Sequence, residues 1–315
     1  MDTKFTKDFD CDEVMGLSKV DAIIVTYNPD INRFKKVVSA LSNQIDKLAI
    51  VDNGSTNSNK ILNVLKNKNF KTECVLLKQN LGLAKGLNIG IKSLKKSDFV
   101  LTLDQDTIVN KDAIKTTLEN CKKLNRQIED KTAIIHLNHE KFGKRKIDRF
   151  VFNRILLDKS EYERHRGSYK NFFPVKYVIQ SGMLIKSEIA HKFNFMNKLF
   201  IDQVDREYSS RIKKAGYLIL ETRKKFVKHK LGSEKRMGGK IIHYENELRL
   251  FYFTRNSAYL VKNGQLPIFE YLFEVILFYR RYLLARGLSG FPTLIHIYIL
   301  ATLKGLKGQL GKFEP

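Results

Sequence analysis

Apolar residues fall into short runs through the first hundred positions, and each run is followed by a polar turn and an amphipathic stretch. Residues 20–27 read VDAIIVTY, a β-branched run that predicts a strand. The turn Asn28-Pro29-Asp30 follows, and a helical spacing continues to Leu41. Residues 48–51, LAIV, predict a second strand that stops at the turn Asp52-Asn53-Gly54-Ser55. A helix over residues 60–66, a strand over 74–77, a helix over 86–94 and a strand over 99–103 complete the alternation. Strands that alternate with helices predict parallel βαβ units, so the fold class is α/β. In such sheets ligands bind beyond the carboxyl ends of the strands. Polar clusters stand at those ends: Thr26-Tyr27-Asn28, Asp52-Asn53 and Asp104-Gln105-Asp106. Any one of them is ordinary turn chemistry; three together point to a site.

The pattern changes after residue 140. Residues 141–149 are basic and turn-like, 175–185 read as a strand-pair region around Gln180-Ser181-Gly182, and 189–193 as a helix. Residues 206–215 predict a helix that stops at Gly216, followed by a strand over 218–221. Residues 223–240 read as a basic, glycine-containing loop, and the chain from residue 245 onward is mostly helical.

Charge narrows the choice of partner. The 315 residues carry 57 Lys plus Arg against 33 Asp plus Glu, a formal charge of +24. A surplus of that size predicts a polyanionic partner: nucleic acid, an anionic membrane or phosphorylated small molecules. Cys11, Cys74 and Cys121 are far apart and form no CxxC pair, which predicts reduced thiols. The acidic start MDTKFTKDFDCDEV lacks the apolar core of a signal peptide. No run reaches the roughly 18 apolar residues of a membrane span, so a soluble or peripheral protein is expected.

Four segments carry candidate chemistry. Asp104 and Asp106 close a strand, and two carboxylates so close resist joint burial without a cation. A hard divalent ion that also holds a diphosphate is one reading, and a solvated surface pair is the other. The segment QNLGLAKGLNIG has glycines at 82, 86 and 90 and matches neither the dinucleotide fingerprint nor the P-loop. Its spacing by four gives one helix face small residues for close packing; phosphate contacts from backbone and Lys85 are an equal reading. In FIDQVDREYSSR, Asp202 and Asp205 share a helical face. Acids at a helix start are commonly solvated, yet apolar neighbours around Asp205 make it a candidate general base. His229, in KHKLG, is either structural or a third metal ligand. His136-x-x-His139-Glu140 matches neither order of the zinc-protease motifs and reads as structural or acceptor-side.

Taken jointly, IIVTYNP, VDNGS, QNLGLAKGLNIGI, LTLDQDT, QSGMLI, FIDQVDREY and KHKLG occur in the order seen in family 2 glycosyltransferases. The chain resembles that family over about residues 20 to 260, and within it the bacterial rhamnosyltransferase-like branch; its layout is also similar to galactofuranosyltransferases. The resemblance implies a GT-A fold: α/β with a mostly parallel central sheet, followed by a C-terminal helical region. The implied domains are a catalytic unit over residues 1–260 and a membrane-associating or oligomerising region over 261–315. It implies inverting transfer of a sugar from a nucleotide-diphosphate donor, dTDP-rhamnose first and UDP-galactofuranose or another UDP-sugar second. Thr26, Tyr27 and Asp52 would contact the nucleoside, and Asn80, Gly82 and Lys85 would lie along the donor. Asp104 would serve donor and metal, Asp106 and His229 the metal (Mg2+ or Mn2+), and Asp205 would be the base. The branch often carries an aromatic where Gln203 or Val204 stands, so the acceptor, a polysaccharide or lipid-linked oligosaccharide, stays open.

The tail offers its own reading. Arg280, Arg281, Arg286, Lys304 and Lys307 interleave with YLFEVILFY and LIHIYILATL. Basic amphipathic helices lie at anionic membrane surfaces; helices that cover the catalytic part or pair two subunits fit the same pattern. A seat at the cytoplasmic face of the cell membrane explains the surplus charge without nucleic acid. The readings from a different class, a basic nucleic-acid-binding protein or a non-catalytic membrane-associated one, are prompted by charge alone, and no nucleic-acid motif supports the first.

Overall fold

The structure is a computed structural model and describes residues 18–66, 70–94, 97–140, 156–228, 233–237 and 240–314. The first half follows the predicted alternation: β1 (Val20–Thr26), α1 (Ile31–Ala40), β2 (Lys47–Asp52), α2 (Ser58–Leu65), β3 (Lys71–Leu76), α3 (Leu83–Ser93) and β4 (Phe99–Asp104). These strands lie parallel in the order β3-β2-β1-β4. β1 explains why a parallel strand reads as a continuous apolar run, since both of its faces are covered. Ala22 and Ile24 face a core shared with Phe34 and Val38 of α1, while Ile23 faces a second core shared with Leu87 and Ile91 of α3. Asp30 caps α1 by accepting a hydrogen bond from the Arg33 backbone N–H at 3.1 Å. Gly86 and Gly90 let α3 press on β1: a Cβ at either would lie 2.7 Å from Val25 Cγ1 or 2.6 Å from Ile23 Cγ2. The four-residue glycine spacing is therefore a packing face.

The sheet continues through β5 (Ile108–Val109), β6 (Thr132–His139), β7 (Phe172–Pro174), β8 (Met183–Lys186) and β9 (Leu218–Lys228). Its order is β3-β2-β1-β4-β8-β6-β9-β5, with β7 also on β9; β8, β7 and β5 run against the rest. Helices α4 (Ala113–Cys121), α5 (Arg126–Lys131), α6 (Lys159–Arg164), α7 (Ser187–Lys192) and α8 (Val204–Lys214) connect these strands. Two expectations fail here. Residues 175–185 are not a strand pair: β8 alone forms there, between β4 and β6, and Gln180-Ser181-Gly182 is the turn that enters it. Residues 223–240 are not one loop: β9 runs to Lys228, and β10 (Ser233–Met237) pairs with β11 (Lys240–Tyr244). The sequence predicts a strand over only the first four residues of β9; its continuation is obscured by Arg223, Lys224, Lys225 and Lys228, although Phe226 and Val227 among them are buried. The basic stretch at 141–149 lies outside the described residues.

Three helices close the chain: α9 (Glu247–Lys262), α10 (Ile268–Arg286) and α11 (Phe291–Leu306). α9 is buried around most of its circumference, including Thr254, Arg255, Asn256 and Ser257. α11 crosses it at near backbone contact, because a Cβ on Gly305 would meet the Arg255 carbonyl oxygen. Tyr271 of α10 pairs with Thr302 of α11 at 2.9 Å, so α10 closes on the same bundle. Among the described residues no helix is long and apolar enough to cross a membrane. Cys121 is buried, which pushes its thiol up to about 12, so it is an inert core residue.

Candidate active site

A cleft of about 750 Å3 opens where the carboxyl ends of β1 and β4 meet the C-terminal helices. Thr26, Tyr27, Asn53, Asn80 and Gly82 line it, together with Asp104, Gln105 and Asp106. Asp205, Arg249, Phe253 and Phe278 line the same cleft. Most of the residues expected to act together thus converge in one cavity.

Asp52 sits behind the wall rather than in it. It is 1% exposed, and its carboxylate accepts from Thr26 Oγ1 at 2.8 Å and from the Ser55 backbone N–H at 3.0 Å. The adjacent Asn53 lines the cleft instead. Its amide donates to the Gly82 carbonyl and accepts from the Leu81 N–H, both at 3.1 Å. Asn80 Oδ1 accepts from the Gly82 N–H at 2.9 Å, and the Leu83 N–H donates to the Phe200 carbonyl at 2.7 Å. Gly82 has φ +89°, and a Cβ there would lie 2.6 Å from that same carbonyl. This strap therefore needs glycine for both its conformation and its close approach. Lys85, on the exposed side of α3, lies outside the cleft in a small depression with Lys92 and Asn194.

Gln105 holds Tyr27 by its main chain, accepting from its N–H at 2.8 Å and donating to its carbonyl at 3.3 Å. The Tyr27 ring stays half exposed at the cleft edge. The Asp104 N–H donates to Ser181 Oγ at 2.9 Å, and that hydroxyl donates to Thr107 Oγ1 at 2.7 Å. Arg33 donates to the carbonyls of Asp106 at 2.8 Å and Lys228 at 3.2 Å, which ties the acidic turn to the end of β9. His229 lies outside the described residues. Among the described residues no group of three His, Cys, Asp or Glu side chains converges as a complete metal site. Two carboxylates at a strand end are hard oxygen donors of the kind that suit a divalent cation.

Asp205 lies in the first turn of α8, where helix N–H groups favour an anion. It accepts from the Gln180 N–H at 3.1 Å and the Arg206 N–H at 2.8 Å. Burial lifts its carboxyl above the ordinary range, against the pull of those two N–H groups, and Asp202 adds to the rise. The segment before it is strained: Phe200, Asp202 and Gln203 have φ of 67°, 61° and 60°, although none is glycine. α9 holds this segment in place. Asn256 contacts the carbonyls of Leu199, Ile201 and Asp202 between 2.7 and 2.9 Å, and Gln203 donates to Ser257 at 2.9 Å. Arg249 grips Asp202 through two bonds of 2.8 and 2.6 Å, and that carboxylate holds the guanidinium firmly protonated. Arg206 turns the other way, into a buried set with Glu270 and Glu274 of α10, its guanidinium 4.0 Å from the Tyr177 ring centroid.

His136 and His139 are buried and stacked, 5.4 Å between ring centroids. Both approach the Ser181 carbonyl, at 3.2 and 3.0 Å, and His136 also meets Glu221 at 3.1 Å. They back the Gln180-Ser181-Gly182 turn from inside. Sequence reasoning singled out neither Asn53 nor Gln105 for a role of its own, although each stood inside a recognised motif. Arg249 and Asn256 gave no local signal, because their partners lie 47 and 54 to 57 residues away.

Comparison with known proteins adds four observations. The profile of glycosyl transferase family 2 matches residues 21–193. The chain is 27% identical to dTDP-rhamnosyl transferase RfbF of Shigella flexneri, with 93% of this chain and 97% of that protein covered. Among solved structures, S. aureus TarS 1–349 in complex with UDP-GlcNAc is similar at a TM-score of 0.51 and 16% identity, covering 92% of this chain and 83% of that one. GalNAc-T7 with UDP, GalNAc and Mn2+ is similar at 0.55 and 15%, covering 79% of this chain and 51% of that one. At such identities the structures speak for the fold: an α/β sheet like theirs, followed by C-terminal helices.

Proposed function

Since the chain belongs to glycosyl transferase family 2, we propose that it transfers rhamnose from a dTDP donor to a saccharide hydroxyl, with inversion at the anomeric carbon. The observation that carries this reading is Asp205, a carboxylate with a raised pKa in the same cleft as Asp104 and Asp106. Asp205 takes the proton of the acceptor hydroxyl while its oxygen attacks the anomeric carbon and the bond to the diphosphate breaks. One base and one in-line displacement invert the centre. Asp104 and Asp106, joined by His229, would hold Mg2+ or Mn2+, which when bound supplies neutralisation of the leaving diphosphate. Thr26, Tyr27, Asn80 and Gly82 bound the nucleoside and donor side. The curated relative favours dTDP-rhamnose, and the UDP-bound neighbour keeps a UDP-sugar as the second reading. A lipid-linked acceptor fits helices α10 and α11 and the turn between them, which expose Ile276, Phe291 and Ile299 on the helices and Leu288 in the turn, beside basic residues. That arrangement supports work at the cytoplasmic face of a membrane.

A donor-hydrolysis screen across dTDP-rhamnose, UDP-galactofuranose and UDP-GlcNAc, with Mg2+ or Mn2+, tests the reading. Turnover of dTDP-rhamnose is expected. Asp205→Asn should abolish transfer and keep donor binding, and sustained transfer by that variant would remove Asp205 as the base.

A further inference from the structure

The cleft lining combines two chemistries. The strand-end residues are polar, while Ile179, Phe253 and Phe278 add apolar and aromatic surface, with Glu245 and the Asp202–Arg249 ion pair in the same lining. Phe253 of α9 and Phe278 of α10 are half-buried, and their rings meet at 4.5 Å between centroids, tilted by 36°. Asp205 and Gln180 also line the cleft. Gln180 is 4% exposed, and its amide nitrogen has no hydrogen-bond partner among the described residues. A buried donor left unsatisfied calls for an explanation, and a bound hydroxyl that a small turn of the amide can reach provides one.

We propose that Phe253 and Phe278 form the acceptor subsite and stack against the apolar face of a pyranose ring, whose reacting hydroxyl points to Asp205. The inference rests on the glycosyl-transfer reading above. A sugar ring has one apolar face and a rim of hydroxyls, which matches aromatics flanked by ionic groups. An alkyl chain matches worse, because hydrocarbon in this cleft would desolvate the Asp202–Arg249 pair and Glu245 without replacing their lost water contacts. α9 and α10 thus contribute substrate contacts as well as support.

The test compares methyl and octyl pyranosides as acceptors for wild type, Phe253→Ala, Phe278→Ala, Phe278→Leu and Phe278→Tyr, with melting temperature as the folding control. Each alanine variant should raise acceptor KM about tenfold or more for methyl and octyl glycosides alike, with donor KM moving far less. Tyr should restore acceptor KM where Leu does not. Unchanged acceptor KM in the folded variants overturns the subsite, and so does an effect confined to octyl glycosides, which would assign the wall to an alkyl chain. Equal rescue by Leu and Tyr also overturns it, since packing alone would then suffice. If wild type hydrolyses none of the nucleotide sugars, the transfer reading falls, and the subsite with it.

Discussion

Asp205 is held under opposing demands. Folding places the carboxyl where burial disfavours its charge, while the role proposed for it as base requires it to be ionised. Its pKa in the folded state lies above the ordinary 3.8, so ionising it costs stability. That cost is absent below pH 3.8, grows as pH rises toward the folded value, and is complete above it. Asp205→Asn should therefore raise the melting temperature at pH 7, by on the order of 1 kcal/mol in stability. The gain should shrink as the pH approaches the ordinary carboxylate range; a gain independent of pH would remove the desolvation account. In the native enzyme the acid limb of kcat/KM should lie above the ordinary carboxylate range, read from a rate–pH profile. Asp205 was legible in the sequence because apolar neighbours bracket it. The Arg206 pairing was not, because a basic residue in a helix start reads as solvated until the fold brings Glu270 beside it.

At the scale of elements, two contacts decide where Asp205 stands. The strap at Gly82 and the segment ending at Gln203 meet at the Phe200 carbonyl, and α9 holds the second of these from behind. α10 adds Glu270, 2% exposed, and Glu274 against Arg206. Arg206→Ala leaves a buried carboxylate without its partner and should destabilise by about 3–5 kcal/mol. Urea unfolding reads this directly, and a loss below about 1 kcal/mol would show that water compensates the acids. The parallel half of the sheet was readable in advance because each buried strand is a compact apolar run closed by a turn. β6, with flanking α4 and α5, was missed for want of a turn signal, and β9 was expected only over 218–221 because Lys and Arg occupy its later positions.

At the scale of the molecule, the formal charge of +24 and the apolar outer faces of α10 and α11 belong to one picture. Ile268, Leu272, Ile276 and Leu284 recur on α10 at spacings of four or eight, and Phe291, Ile295, Ile299 and Leu303 on α11 at four. Ile276, 64% exposed, and Leu288, 84% exposed, stand furthest out, with Arg280 and Arg286 nearby. Ile276→Glu with Leu288→Glu should cut sedimentation with anionic vesicles at least tenfold at low salt and leave melting temperature near wild type. If vesicle binding persists while a dimer dissociates in light scattering, the face joins two subunits instead. The amphipathic tail was visible in the sequence; which of its residues turn outward was not, since that depends on how it folds over α9.

The ion pairs between Arg206 and α10 bear on how such an enzyme can be taken apart. Cutting the chain after residue 267 would remove both acids and leave a cation buried beside the base. A truncated protein that loses activity would therefore say nothing about membranes. For the same reason, a chimera that borrows the tail of a relative must borrow the matching residue at position 206 as well. The tail and the helix turn that carries Asp205 are coupled through these ion pairs, so a substitution at either should be compensated by a change at the other.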